Sequence, residues 1–236
     1  MPDAAVGHLR GERARAPLTR ERVFEAALAI VDAEGLDALS MRRLGTELGV
    51  DPMAVYRHVA GKEAVLDGVA ELLWAELPAP AAKEDWADGL RSFARTLLAL
   101  FRAHPHVAPL LVQRFVLPRA ALEAVHAHLG ALRSVGLDEQ QAAQAVRSLL
   151  SYAMGYGLAE LTCCGEPGLA EWERMSERER LLCMARGLPE GVPGHLIDAA
   201  VAIYAEWEPD ACFEAGLELL LAGVRAQCGE SEARAD

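Results

Sequence analysis

The chain has 236 residues, of which 52% are hydrophobic, 6% aromatic and 25% charged. Its formal net charge of −12 argues against a uniformly basic nucleic-acid binder, and no apolar run approaches the ~18 residues that a bilayer span needs. Cys163, Cys164, Cys183, Cys212 and Cys228 are odd in number and form no CxxC framework, which suits a reducing cytoplasm.

Alanine and leucine dominate, and no alternating strand pattern or internal repeat occurs, so the chain is expected to be all-α. Residues 1–17 are rich in small residues, Gly and Pro and include Arg10, Arg13 and Arg15. They read as a disordered arm without the apolar core of a secretory leader. Such an arm either follows a phosphate backbone or is an inert tail. A first helix is predicted over 20–34, with Val23, Ala27, Ile30 and Val31 on one face and Gly35 at its end.

Residues 40–59, SMRRLGTELGVDPMAVYRHV, carry the strongest signal. Ser40 supplies an N-cap, and Met41, Leu44 and Leu48 recur at helical spacing. Gly49 allows a sharp turn, and Asp51 followed by Pro52 restarts a helix as N-cap and N1. The second helix carries Met53, Val55, Tyr56, Arg57 and His58. Two short helices about a tight glycine turn form the plan of a helix-turn-helix, although an ordinary αα-hairpin shares it.

A fourth helix is predicted over 62–77, with Val65, Leu66, Val69, Leu72 and Leu73 as its apolar stripe. PAPAAKED, 78–85, reads as a linker and places a domain boundary near Pro78. Beyond it, helices are expected over 86–103, 105–115, 118–134 and 138–164, the last broken by Gly155 and Gly157. Residues 165–195 read as irregular around a charged helix at 172–186, with further helices over 196–206 and 209–227. Charge is unevenly placed: residues 1–62 hold nine basic and nine acidic groups, and the remainder carries the whole −12.

The stretch 18–77 closely resembles the DNA-binding domain of the tetracycline-repressor (TetR) family, through AALAIVDAEG, LSMRRLG, the LGV turn and VYRHVAGKEAVLDGV. HPHVAPLL and FEAGLELLLAGV are more loosely similar to the C-terminal domain of the tetracycline-type branch. The resemblance implies an N-terminal three-helix helix-turn-helix DNA-binding domain, 18–77, and a larger C-terminal helical regulatory and dimerisation domain, 78–236.

By donor type and position, Arg57 is the candidate reader of a guanine edge. Arg42 reaches a base or a phosphate at the groove edge, and the resemblance favours a base. Met53 and Ala54 offer apolar contacts only, for instance to thymine methyl groups. Tyr56, His58 and Lys62 are phosphate-anchor candidates, and the resemblance also puts Tyr56 and Lys62 on the DNA backbone. Ser40 offers a backbone N–H or hydroxyl, and Met41 and Pro52 complete the DNA-facing set. For each, and for Arg43, the plain alternative is a solvated side chain. Where the tetracycline repressor carries polar base readers, this chain has Pro52, Met53 and Ala54, so the operator sequence does not carry over.

A helix-turn-helix reads few base pairs and gains affinity by dimerising. The segments 138–161, with Ala142, Ala145, Val146, Leu149 and Leu150, and 211–224 are apolar enough for a seam. Ala145, Ser148, Ala153 and Gly157 permit close helix approach. The resemblance implies a four-helix bundle with the symmetry mates. The other helices are expected to enclose a pocket for a small apolar or amphipathic organic ligand. Its candidates on the earlier helices are Phe93, Leu97, Leu100, His104, Val107, Leu110 and Phe115. His126, Tyr152, Tyr156, Leu158, Trp172 and Met175 follow from the later ones. Family members that bind tetracycline take it as a magnesium chelate, but His104/His106 and His126/His128 lack metal-ligand spacing, so no metal or cofactor is expected.

The expected function is that of a cytoplasmic, homodimeric regulator of transcription on double-stranded operator DNA, a repressor released when a ligand moves the fourth helix. Two alternatives stay open: a redox sensor using Cys163, Cys164 or Cys183, and a helical enzyme, for which no GxSxG, HExxH or P-loop string is present.

Overall fold

Twelve α-helices, one short 3-10 helix and no strand occur among the described residues of the computed structural model. These residues are 17–81, 85–114, 118–163, 169–187, 191–204 and 208–235. The arm at 1–16, Phe115 and the side chains of Cys163 and Cys164 lie outside them. The chain divides into two units, one formed by 1–77 with 103–123 and the other by 78–102 with 124–236.

In the first unit, α1 (Arg20–Glu34) is capped by Thr19, whose hydroxyl accepts from the Arg22 N–H at 3.3 Å. Gly35 ends it at φ 84°. Val23, Phe24, Ala27, Ile30 and Val31 are buried on α1, as are Val65, Leu66, Val69, Ala70 and Leu73 on α4 (Lys62–Trp74), which packs against it. Each of the larger side chains stabilises the unit by roughly 1.5–3 kcal/mol. Gly68 allows this approach, because a Cβ there would overlap the Phe24 ring. The 3-10 turn Leu36–Ala38, α2 (Met41–Leu48) and α3 (Pro52–Val55) lie between them in sequence. Helix α6 (Ala108–Gln113) belongs to this unit and packs on α4. Arg114 joins Glu63 and, at 2.5 Å, Asp67 of α4.

The second unit holds most of α5 (Trp86–Ala103) and α7 (Arg119–Ser134), with α8 (Glu139–Cys163), α9 (Leu169–Arg174), α10 (Glu177–Ala185), α11 (Gly194–Tyr204) and α12 (Pro209–Ala235). An ion-pair ladder sets the register of α5 on α12. Arg91 Nε and Nη2 bind Glu218 at 2.5 and 3.0 Å, Arg95 Nε and Nη2 bind Glu214 at 2.7 Å each, and Arg102 Nη1 binds Asp210 at 2.7 Å. Solvent screens the exposed rungs, so the ladder selects register more than it adds stability.

Several boundaries differ from those expected. Helix α8 runs unbroken through Gly155 and Gly157; at Gly157 a Cβ would stand 2.7 Å from the Phe101 ring, so this glycine serves close packing. Helix α6 starts at Ala108, because residues 104–107 form a turn and Pro109, not Pro105, occupies the first helical turn. The charged helix expected over 172–186 is two helices. Ser176 restarts the chain as a capping box: its hydroxyl accepts from Glu179 N–H at 3.4 Å, and its own N–H donates to Glu179 Oε2 at 2.8 Å. Helix α4 ends at Trp74 and α12 extends to Ala235.

Candidate nucleic-acid interface

Local chemistry builds the helix-turn-helix. Ser40 Oγ accepts from Arg43 N–H at 3.1 Å and opens α2. Gly49 adopts the left-handed conformation at φ 68°, ψ 31° and closes it. Asp51 Oδ1 then accepts from Met53 N–H at 2.7 Å and opens α3, with Pro52 in the first turn. Gly45 lets the two helices meet: a Cβ there would stand 3.0 Å from the Val50 carbonyl oxygen and 3.2 Å from Pro52 Cγ. The second helix is shorter than expected. It closes at Val55, and Tyr56, Arg57 and His58 continue in turns rather than in the helix.

Val55 and Val59 are buried and fix this segment to the unit, so the intervening residues face out. Ser40, Arg42, Met53, Tyr56, Arg57 and His58 are exposed, while Met41, Pro52, Ala54 and Lys62 are half-buried. The cations differ in availability. Arg43 is held by Glu34 and Glu47 at 2.7 Å each, which raises its pKa further and ties α2 to α1. Lys62 Nζ donates to the Leu36 carbonyl oxygen at 3.2 Å. Arg42, Arg57 and His58 form no ion pair with the described residues.

The candidate pocket residues divide between the units. Phe93, Leu97 and Leu100 are buried on α5. His104, Val107 and Leu110 belong to the first unit, where His104 Nδ1 lies 2.8 Å from Asp32 Oδ2, and His106 Nδ1 lies 3.1 Å from the Val31 carbonyl oxygen. His126 is exposed; the buried histidine is His128, whose ring centroid lies 4.9 Å from that of Phe93. Tyr152 and Tyr156 meet at Phe213, with centroids 5.4 and 5.2 Å from it, and donate to the Phe213 and Pro209 carbonyl oxygens at 2.8 and 2.7 Å. Leu158 and Met175 are half-buried, and Trp172 is buried beneath the Arg180 guanidinium, 5.8 Å from its ring.

A cleft of about 430 Å³ in the second unit is lined by Arg95, Leu98, Ala99, Arg102, Asp210, Phe213 and Glu214. None of the residues expected to form a pocket lines it. Among the described residues no group of three or more His, Cys, Asp or Glu side chains could hold a metal ion, and no helix is long and apolar enough to cross a membrane. Cys183 and Cys212 are free thiols.

The family described as "Bacterial regulatory proteins, tetR family" matches residues 23–69, and that described as "Tetracyclin repressor-like, C-terminal domain" matches residues 78–228. The chain belongs to the TetR family. It is a DNA-binding transcriptional regulator of a family of regulators, not enzymes. Among its relatives, the tetracycline repressor protein class C of Escherichia coli is 30% identical over 88% of this chain and 90% of its own. The HTH-type transcriptional repressor DrrR1 of Streptomyces coeruleorubidus is 36% identical over 61% of this chain, a match that spans 54% of DrrR1. Among solved structures, the TetR-family protein ActR of Streptomyces coelicolor, in complex with actinorhodin, is 30% identical, with a TM-score of 0.73. The match covers 92% of this chain and 99% of that one.

Two features of the second unit of this TetR-family chain are not legible from local sequence: the burial of His128 rather than His126, and the network of Arg102, Glu160 and Asp210. The i, i+4 spacing of Arg91 with Arg95 and of Glu214 with Glu218 was the available signal for the ladder.

Proposed function

We propose that this TetR-family regulator is a cytoplasmic repressor that holds a two-fold symmetric operator as a homodimer and leaves it when a small amphipathic organic molecule occupies its body. The observation that carries the reading is the outward cluster of Met53, Tyr56, Arg57 and His58 on and just after a capped α3. Arg57 serves as base reader, Arg42 as a base or edge contact, and Tyr56, His58 and Lys62 as backbone contacts, with Ser40, Met41, Pro52 and Ala54 closing the surface. The head is 18–77 and the ligand-binding and dimerisation body 78–236.

Two features support the body's role. Leu219 on α12 is 76% exposed beside a groove lined by Gln144, Ala145, Ser148, Leu220 and Val224, an apolar strip suited to the same strip of a second copy. The cleft at Arg95, Arg102 and Phe213 combines an aromatic wall with charged rims, as an amphipathic ligand requires. The relatives named tetracycline repressors and the actinorhodin complex of ActR favour an organic ligand.

The test is selection of a duplex from a random pool by the full-length protein, followed by titration with a panel of amphipathic molecules. A palindromic duplex, released by at least one compound, is the expected result. A selected duplex that no compound releases would overturn the ligand reading; failure to select any sequence would overturn operator binding.

A further inference from the structure

We infer that Met53 reads the C5-methyl group of a pyrimidine in each half-site, so that recognition depends on thymine, or on 5-methylcytosine in the same place. The inference rests on α3 entering the major groove and goes further by naming the chemical feature read there.

The first turn of α3 has nothing polar left to offer a base edge. Asp51 Oδ1 is occupied as the cap, accepting from the Met53 N–H at 2.7 Å. Pro52, Met53 and Ala54 carry no side-chain donor or acceptor. Arg43 on the neighbouring helix is committed to Glu34 and Glu47. The polar candidates, Arg57 and Tyr56, come after the helix has closed.

Met53 is the most exposed side chain of this turn, at 66%, while Val55, two residues on, is fully buried. A lone exposed methionine on a surface needs no explanation. Here it stands at the centre of the surface that faces DNA, where an apolar group can discriminate in one way only. Each base pair presents donors and acceptors in the major groove, and the C5-methyl of thymine is its apolar feature. The unbranched, polarizable thioether adapts its rotamer to that methyl without a fixed backbone approach. Gly45, packed on Pro52, holds the turn in place from behind.

The experiment uses the full-length protein and a duplex selected from a random pool. Each thymine pair is replaced in turn by deoxyuridine, which removes one methyl per half-site and leaves base pairing intact. At one position, affinity should fall about fourfold per half-site, the worth of ~0.8 kcal/mol for one buried methyl, and about fifteenfold for both. With cytosine at that position, 5-methylation should recover a similar factor. Met53→Ala, at an exposed site that leaves the circular dichroism unchanged, should bind more weakly and respond equally to thymine and uracil there. Wild-type binding insensitive to uracil at every position would overturn the inference, as would a Met53→Ala protein that keeps the uracil penalty. Failure to select any duplex would instead overturn the groove-reading role of α3 and the inference with it.

Discussion

Arg102 grips Glu160 with hydrogen bonds of 2.7 and 2.8 Å, and Glu160 is only 1% exposed. The same guanidinium reaches Asp210, so α5, α8 and α12 share one cation. Its pKa is driven up, first by the hydrogen bonds to Glu160 and against the cost of burial. Removing one partner of a buried pair strands the other charge in a low-dielectric site. Arg102→Ala should therefore destabilise the protein by roughly 3 kcal/mol, the low end for a buried pair because the arginine itself keeps some solvent contact. Arg102→Met combined with Glu160→Leu should recover most of that loss. Urea midpoints at neutral pH check both; equal loss in the single and double variants would show that the pair was not the cause.

Tyr152 gives a pH signature. Burial pushes its phenol up to about 12, with the acidic groups near it acting in the same direction. A phenol raised in the fold stabilises it fully below the ordinary value near 10, and this contribution is lost as pH climbs from there to about 12. Ultraviolet titration should show a tyrosine that ionises near pH 12. Tyr152→Phe should lose that step and flatten the alkaline decline in stability. A normal titration of all tyrosines would contradict the packing of Tyr152 on Phe213.

At the DNA face, Arg57→Ala should cost ~1–3 kcal/mol and relax the preference at one position per half-site. Uniform loss across all sequences would make Arg57 a phosphate contact. Lys62→Ala should weaken binding uniformly and make the salt-dependence slope shallower by about one per protomer. Because Lys62 also donates to the Leu36 carbonyl, its melting temperature should be read alongside the affinity.

The dimer seam is tested at Leu219. A charge there costs little in a monomer, since the side chain is 76% exposed. Against a second copy, the same charge would be buried unpaired. Leu219→Glu should give folded monomers that do not hold a palindromic operator, read by sedimentation and titration. A dimer that persists at micromolar concentration would move the seam elsewhere.

The head was largely legible from residue order, because its signals act within a few residues. Ser40, Asp51, Gly35 and Gly49 each satisfy or release backbone groups next to them, and the structure places all four at the helix ends expected of them. The body was less legible. Proline and glycine were read as local punctuation at Pro105, Gly155 and Gly157, whereas Gly157 answers to the Phe101 ring more than fifty positions away in the chain. The capping box at Ser176 was local, yet the charged run around it masked the break.

Sequence by itself determined the helical class, the capped helix-turn-helix and the division of charge between a neutral stretch, 1–62, and an acidic remainder, because propensities, caps and net charge depend on composition and near neighbours. Only the tertiary structure decided which charges are free to meet DNA and which hold the protein together. Arg43 and Arg57 are the same residue type in the same short motif, but Glu34 comes back from α1 to occupy the first. Arg91 and Glu218 stand 127 positions apart and meet because α5 and α12 pack side by side. His126 and His128 differ by two positions, and the rotation of α7 alone exposes one and buries the other against Phe93. Pairings of this kind arise from folding geometry, which brings distant side chains within a few ångströms; residue order can mark a row of like charges but does not name their partners.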